Sequence, residues 1–80
     1  MTFEDLLDIL AEQFSCDASD LGEDITFEDL GVDSEDLVEL AWQLGEAIGL
    51  DVSEDSLKTV DTIGALWRLV RELEEEAETL

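Results

Sequence analysis

Residues 29–48 read DLGVDSEDLVELAWQLGEAI, and their spacing decides the fold. From residue 34 onward Leu37, Leu40, Ala41, Leu44 and Ile48 recur at helical intervals along one face, while Asp36, Glu39, Gln43 and Glu46 fall on the others. Asp33 fits the N-cap, because its carboxylate can accept N–H groups that the first turn leaves unpaired, and this makes Ser34 the first helical residue. Gly49 suits the left-handed position after a helix, with Leu50 as the apolar contact beyond it. Gly45 sits inside the helix at a cost of about 1 kcal/mol relative to alanine, which points to a close helix contact or local flexibility there.

Upstream, Phe3, Leu6, Leu7, Leu10 and Phe14 form a second helical face, with Thr2 and Asp5 placed as a capping box. The period is lost from Ser15 to Asp33, a long loop whose Leu21, Ile25, Phe27 and Leu30 are expected to anchor it to the core. Asp17 is placed to cap one short helical turn ending near Gly22. Downstream, residues 53–58 suit a short helix bearing Leu57. A last helix starts at Asp61 or Thr62 and buries Ile63, Leu66, Trp67, Val70 and Leu73, and its acidic end from Glu74 to Leu80 is expected to fray. No strand-like alternation persists. The expected fold is all-α: one domain over residues 1–80, a small four-helix bundle with three main helices, one short helix and a long first loop.

Composition narrows the function. Eighty residues allow only a small core, yet 45% hydrophobic residues and no proline exclude the disordered class. Twenty-four acidic against 3 basic residues give a net charge of −21, which excludes nucleic acid and disfavours anionic membrane surfaces as partners. Cys16 is the one cysteine, so neither an internal disulfide nor a cysteine-built zinc site can form, and it reads as a small apolar residue. No apolar run approaches the ~20 residues of a membrane span, and the N-terminus is acidic where a signal peptide is basic; the expectation is a cytoplasmic monomer.

Histidine is absent, which removes the commonest general base and metal ligand and bears on Ser34. A serine hydroxyl without a base is a poor nucleophile, so Ser34 is not expected to act as a catalyst by itself; its chemistry alone suits a plain structural residue at a helix start or a site of modification. At a helix start it can carry a phosphate-linked group, whose anionic oxygens gain from free N–H groups and the positive end of the dipole, and Gly31 allows a tight turn and an uncrowded approach. Asp29, Leu30, Gly31, Asp33 and Ser34 match the D-L-G-x-D-S stretch of acyl carrier proteins, Phe27 stands where that family has a loop aromatic, and Val38, Glu39 and Leu40 match the V-E-L that follows. The order of helices and loops resembles that family over almost all of the chain.

The resemblance implies a non-enzymatic carrier that holds acyl groups as thioesters on 4′-phosphopantetheine. A transferase would attach the arm to Ser34 from coenzyme A with Mg²⁺, and fatty-acid, polyketide or related pathways would use it. It further implies a partner face of Asp33, Glu35, Asp36, Val38, Glu39, Trp42 and Glu46, met by basic patches on the transferase and on acyl-processing enzymes, and an acyl pocket lined by Leu40, Leu44, Ile63 and Leu66. The same four apolar residues also suit an ordinary core. Glu35 departs from the family pattern, which has leucine there as part of an apolar contact patch; a specialised carrier or a loss of modification would each account for it. Trp42 either supplies a replacement anchor or covers part of the core. Two other readings remain: an aminoacyl carrier, D-alanyl or peptidyl, and an acidic calcium-binding or interaction module without a prosthetic group. Asp17, Ser19, Gly22 and Glu28 echo positions 1, 3, 6 and 12 of a calcium loop, although Leu21 stands where position 5 needs an oxygen.

Overall fold

The computed structural model describes residues 1–78. Helices α1 (Phe3–Phe14), α2 (Phe27–Leu30), α3 (Ser34–Ile48), α4 (Glu54–Leu57) and α5 (Ile63–Glu78) follow in order, with a 3₁₀ turn at Ala18–Asp20 after the first. Among the described residues no strand forms, only an isolated antiparallel bridge between Thr26 and Thr62. The all-α bundle with three long helices is as expected, and the added element is α2, a second single-turn helix inside the segment read as loop.

Local chemistry sets the helix starts. Thr2 Oγ1 accepts the Asp5 N–H at 3.1 Å while the Asp5 carboxylate accepts the Thr2 N–H at 3.0 Å, closing the capping box of α1. Asp33 and Asp36 repeat that exchange at α3, at 3.0 and 3.1 Å. Ser53 caps α4 through the Ser56 N–H, and Thr62 Oγ1 accepts the Ala65 N–H in the first turn of α5. Asp17 flanks the 3₁₀ turn but makes no side-chain cap: a single turn of that kind closes on its own backbone bonds, Asp20 N–H to Asp17 and Leu21 N–H to Ala18.

Every helix contributes to the core. Leu6 and Leu10 from α1, Phe27 from α2, Leu40 and Leu44 from α3, Leu57 from α4, and Ile63, Leu66 and Val70 from α5 are buried together. Full burial of each such side chain is worth about 1.5–3 kcal/mol. Leu21, Ile25 and Leu30 pack half-buried against this core, as anchors of the first connection. Trp67 and Leu73, expected inside, are only half-buried; Trp67 meets the Phe3 ring edge-on, centroids 5.7 Å apart, at the rim. α5 runs unbroken to Glu78, past the point where fraying was expected, and Leu80 lies outside the described residues.

A backbone clasp joins the first connection to the start of α5. The Phe27 N–H donates to the Asp61 carbonyl at 2.9 Å, the Ile63 N–H to Ile25 at 3.0 Å and the Gly64 N–H to Glu23 at 3.1 Å. These bonds pair N–H groups in the first turns of α2 (Phe27) and α5 (Ile63, Gly64) that have no partner within their own helix. Gly64 permits the approach, since a Cβ there would stand 3.1 Å from both the Cβ and the carbonyl oxygen of Glu23.

Candidate functional site

Ser34 is placed by two turns of helix in quick succession. Thr26 Oγ1 accepts the Asp29 N–H at 3.0 Å and starts α2, which buries Phe27 and ends at Gly31. Gly31 has φ 70°, the left-handed conformation that a side chain resists, and the Gly31 and Val32 N–H groups close the turn on Glu28 and Phe27. A Cβ at Gly31 would meet nothing within 4 Å, so the space is open and it is φ that demands glycine. Two residues later Asp33 begins α3. The missed helix had a signal of its own, Thr26 three residues before Asp29 with Gly31 behind it, but four residues are too few to show a period.

Ser34 is exposed as the first residue of α3, and among the described residues no group hydrogen-bonds its hydroxyl. Its own N–H and that of Glu35 are likewise without a protein acceptor. Asp33 and Asp36 each commit a carboxylate oxygen to the capping box, which holds them on the backbone, whereas Glu35 is exposed and makes no such bond. A free primary hydroxyl beside two open N–H groups at the positive end of a 15-residue helix suits a serine phosphodiester. Gln13 of α1 steadies this turn from below, donating from Nε2 to the Asp36 carbonyl at 2.9 Å, while its Oε1 is buried without a partner. No local sequence signal marks that contact, which spans two helices.

The outward side of α3 carries the expected partner residues. Val38 is 52% and Trp42 64% exposed, so Trp42 stands in solvent and does not cover the core. Glu35, Glu39 and Glu46 are exposed around them, while Asp36 is half-buried. Leu40, Leu44, Ile63 and Leu66 come together across α3 and α5 with no exposed surface and are part of the packed core.

Gly45 does not meet another helix. A Cβ there would lie 2.8 Å from the Leu50 carbonyl oxygen, because the chain after α3 folds back and the Leu50 N–H donates to the Gly45 carbonyl at 3.1 Å. Beside this fold-back lies an open groove of about 530 Å³, lined by Ala41, Trp42, Gly45, Glu46 and residues 49–52. Sequence spacing gives no hint of it, since one wall is irregular backbone. The calcium-loop residues do not assemble: Ser19 lies in the 3₁₀ turn and Glu28 in α2, and among the described residues no three acidic or sulfur side chains converge on a metal position.

The family model of the phosphopantetheine attachment site matches residues 4–70. An acyl carrier protein of Saccharopolyspora erythraea is 38% identical over 72 residues, which cover 89% of this chain and 76% of that protein.

Proposed function

Since the chain belongs to the acyl carrier protein family, we propose that Ser34 is the residue that carries its 4′-phosphopantetheine. The chain is a carrier of acyl groups and not an enzyme, and the arm, when bound, supplies the thiol that holds them as thioesters. What supports Ser34 is a single arrangement: an exposed, unbonded hydroxyl on the first residue of α3, inside the part of the chain that the family model matches. In the attachment the serine Oγ–phosphorus bond forms as the phosphorus–oxygen bond to the nucleotide of coenzyme A breaks. The serine proton would leave to a base on the transferase, since among the described residues no group of this chain hydrogen-bonds the hydroxyl. Asp33 holds the helix start rigid, and the open N–H groups of Ser34 and Glu35 favour the resulting phosphate charge.

The transferase and the acyl-processing enzymes are the partners. The face offered to them is the outward side of α3, where Asp33, Asp36, Glu39 and Glu46 steer basic patches and Val38 with Trp42 supply apolar contact. An acyl chain entering between α3 and α5 would have to part Leu40, Leu44, Ile63 and Leu66. Incubation with coenzyme A, Mg²⁺ and a promiscuous transferase, followed by intact mass measurement, tests the site. One phosphopantetheine is expected on the natural chain and none on Ser34→Ala; addition that survives the substitution places the arm elsewhere.

A further inference from the structure

Among the described residues one buried side-chain polar atom has no hydrogen-bond partner: Oε1 of Gln13, the penultimate residue of α1. Turning the amide round would not relieve it. Nε2 donates to the Asp36 carbonyl at 2.9 Å, and a reversed amide would set Oε1 against that carbonyl, acceptor against acceptor. Nor does stability account for the glutamine. The Asp36 carbonyl lies inside α3, where the Leu40 N–H is its regular partner, so it would stay paired without Gln13. A stranded buried acceptor, by contrast, destabilises by more than an ordinary hydrogen bond contributes. What the bond does is local. The capping box of Asp33 and Asp36 is exposed and closes the first turn of α3 only on itself. Among the described residues no other hydrogen bond joins residues 33–36 to a different element. A helix end without such a tie opens at little free-energy cost.

We propose that Gln13 is a positioning residue for the attachment: its amide holds the first turn of α3 in the helical form in which Ser34 meets the transferase. This rests on the reading of Ser34 as the residue that takes the arm. Only the closed turn offers the hydroxyl together with the open N–H groups of Ser34 and Glu35. Each opening of the turn therefore removes a molecule from the competent population. The apparent affinity for the transferase falls by that fraction, while a chain already bound in the closed form turns over as before.

Gln13→Met tests this, because methionine keeps the length of the side chain, removes both polar atoms and fills irregular space. The net strength of one hydrogen bond corresponds to about 2- to 12-fold in an opening equilibrium. The amides of Asp36 and Leu37, which close the turn on Asp33, are expected to exchange with solvent faster by that factor, with the Leu66 and Val70 amides of α5 at the natural rate. With coenzyme A, Mg²⁺ and a promiscuous transferase, KM for the Gln13→Met chain is expected to rise roughly threefold at unchanged kcat, and the melting temperature to equal or exceed that of the natural chain. Gln13→Glu keeps the shape and the acceptors but has no donor, and it should raise KM in the same way although its added charge favours a basic partner. An unchanged KM in Gln13→Met overturns the proposal. So does a lower melting temperature with faster exchange throughout α5, which would make Gln13 an ordinary packing contact. A natural chain that takes no arm on Ser34 would remove the attachment reading and with it the role of Gln13, whereas normal modification of the natural chain with an unchanged KM in the variant removes the role of Gln13 alone.

Discussion

Glu35 follows Ser34 on the exposed side of α3, two turns before Trp42, and places a charge where the resemblance to this family leads one to expect leucine. Unlike Asp33 and Asp36 it takes no part in the capping box, so its carboxylate acts on whatever approaches the serine and contributes nothing evident to the helix. Glu35→Leu is therefore expected to raise the rate at which a general transferase modifies Ser34, with melting temperature unchanged; equal rates for the two proteins would remove Glu35 as the determinant. Serine position, cap and flanking charge were all legible in the sequence, because each is fixed within four residues of chain. The exposure of Trp42 was not. Its place on the helical wheel points outward, but an indole is long enough to fold back over a core, and only the packed structure decides between the two.

Among the elements, the long helices were read from their apolar period, while α2, too short to show one, was not read as a helix. α1, α3 and α5 announce themselves by apolar period and by caps such as Thr2 with Asp5, whereas α2 is one turn that exists because Phe27 is buried and the clasp fixes its start. Gly45 shows how the same residue means different things at the two levels. Helix propensity alone would make Gly45→Ala stabilising by about 1 kcal/mol. The Leu50 carbonyl oxygen at 2.8 Å from the new Cβ reverses the sign, and a net loss of about 1–3 kcal/mol in chemical denaturation is expected. At the start of α1, the Thr2 N–H and hydroxyl bonds hold the Asp5 carboxyl below its ordinary value of 3.8. A lowered folded value means that this stabilisation is present above the unfolded pKa and is lost as pH falls through the folded one. Asp5→Asn should accordingly show a shallower acid limb below about pH 4 than the natural chain, and parallel limbs would show that the cap does not couple to protonation.

For the molecule as a whole, charge is the dominant fact. Twenty-four acidic residues meet only Lys58, Arg68, Arg71 and the terminal amine, and the side-chain pairs Lys58–Asp55 and Arg71–Glu75 are both exposed at 3.8 Å, a geometry worth well under ~1 kcal/mol each. Repulsion is thus barely offset within the fold. Raising salt from about 10 mM to 0.5 M shortens the screening length well below the molecular diameter, and a gain of about 1 kcal/mol would lift the melting temperature by roughly 4–8 °C. A melt that ignores salt would mean that the acidic faces are already neutralised by bound cations. This balance was plain from composition, whereas the clasp was invisible there, since carbonyls of Glu23, Ile25 and Asp61 leave no side-chain signature. Its consequence is one of timing. Three bonds tie the segment that leads into Ser34 to the helix that forms the far wall of the core, so the two cannot open independently. The amide protons of Phe27, Ile63 and Gly64 should exchange with solvent at one common rate, and any cargo that wedges α3 from α5 would speed all three together.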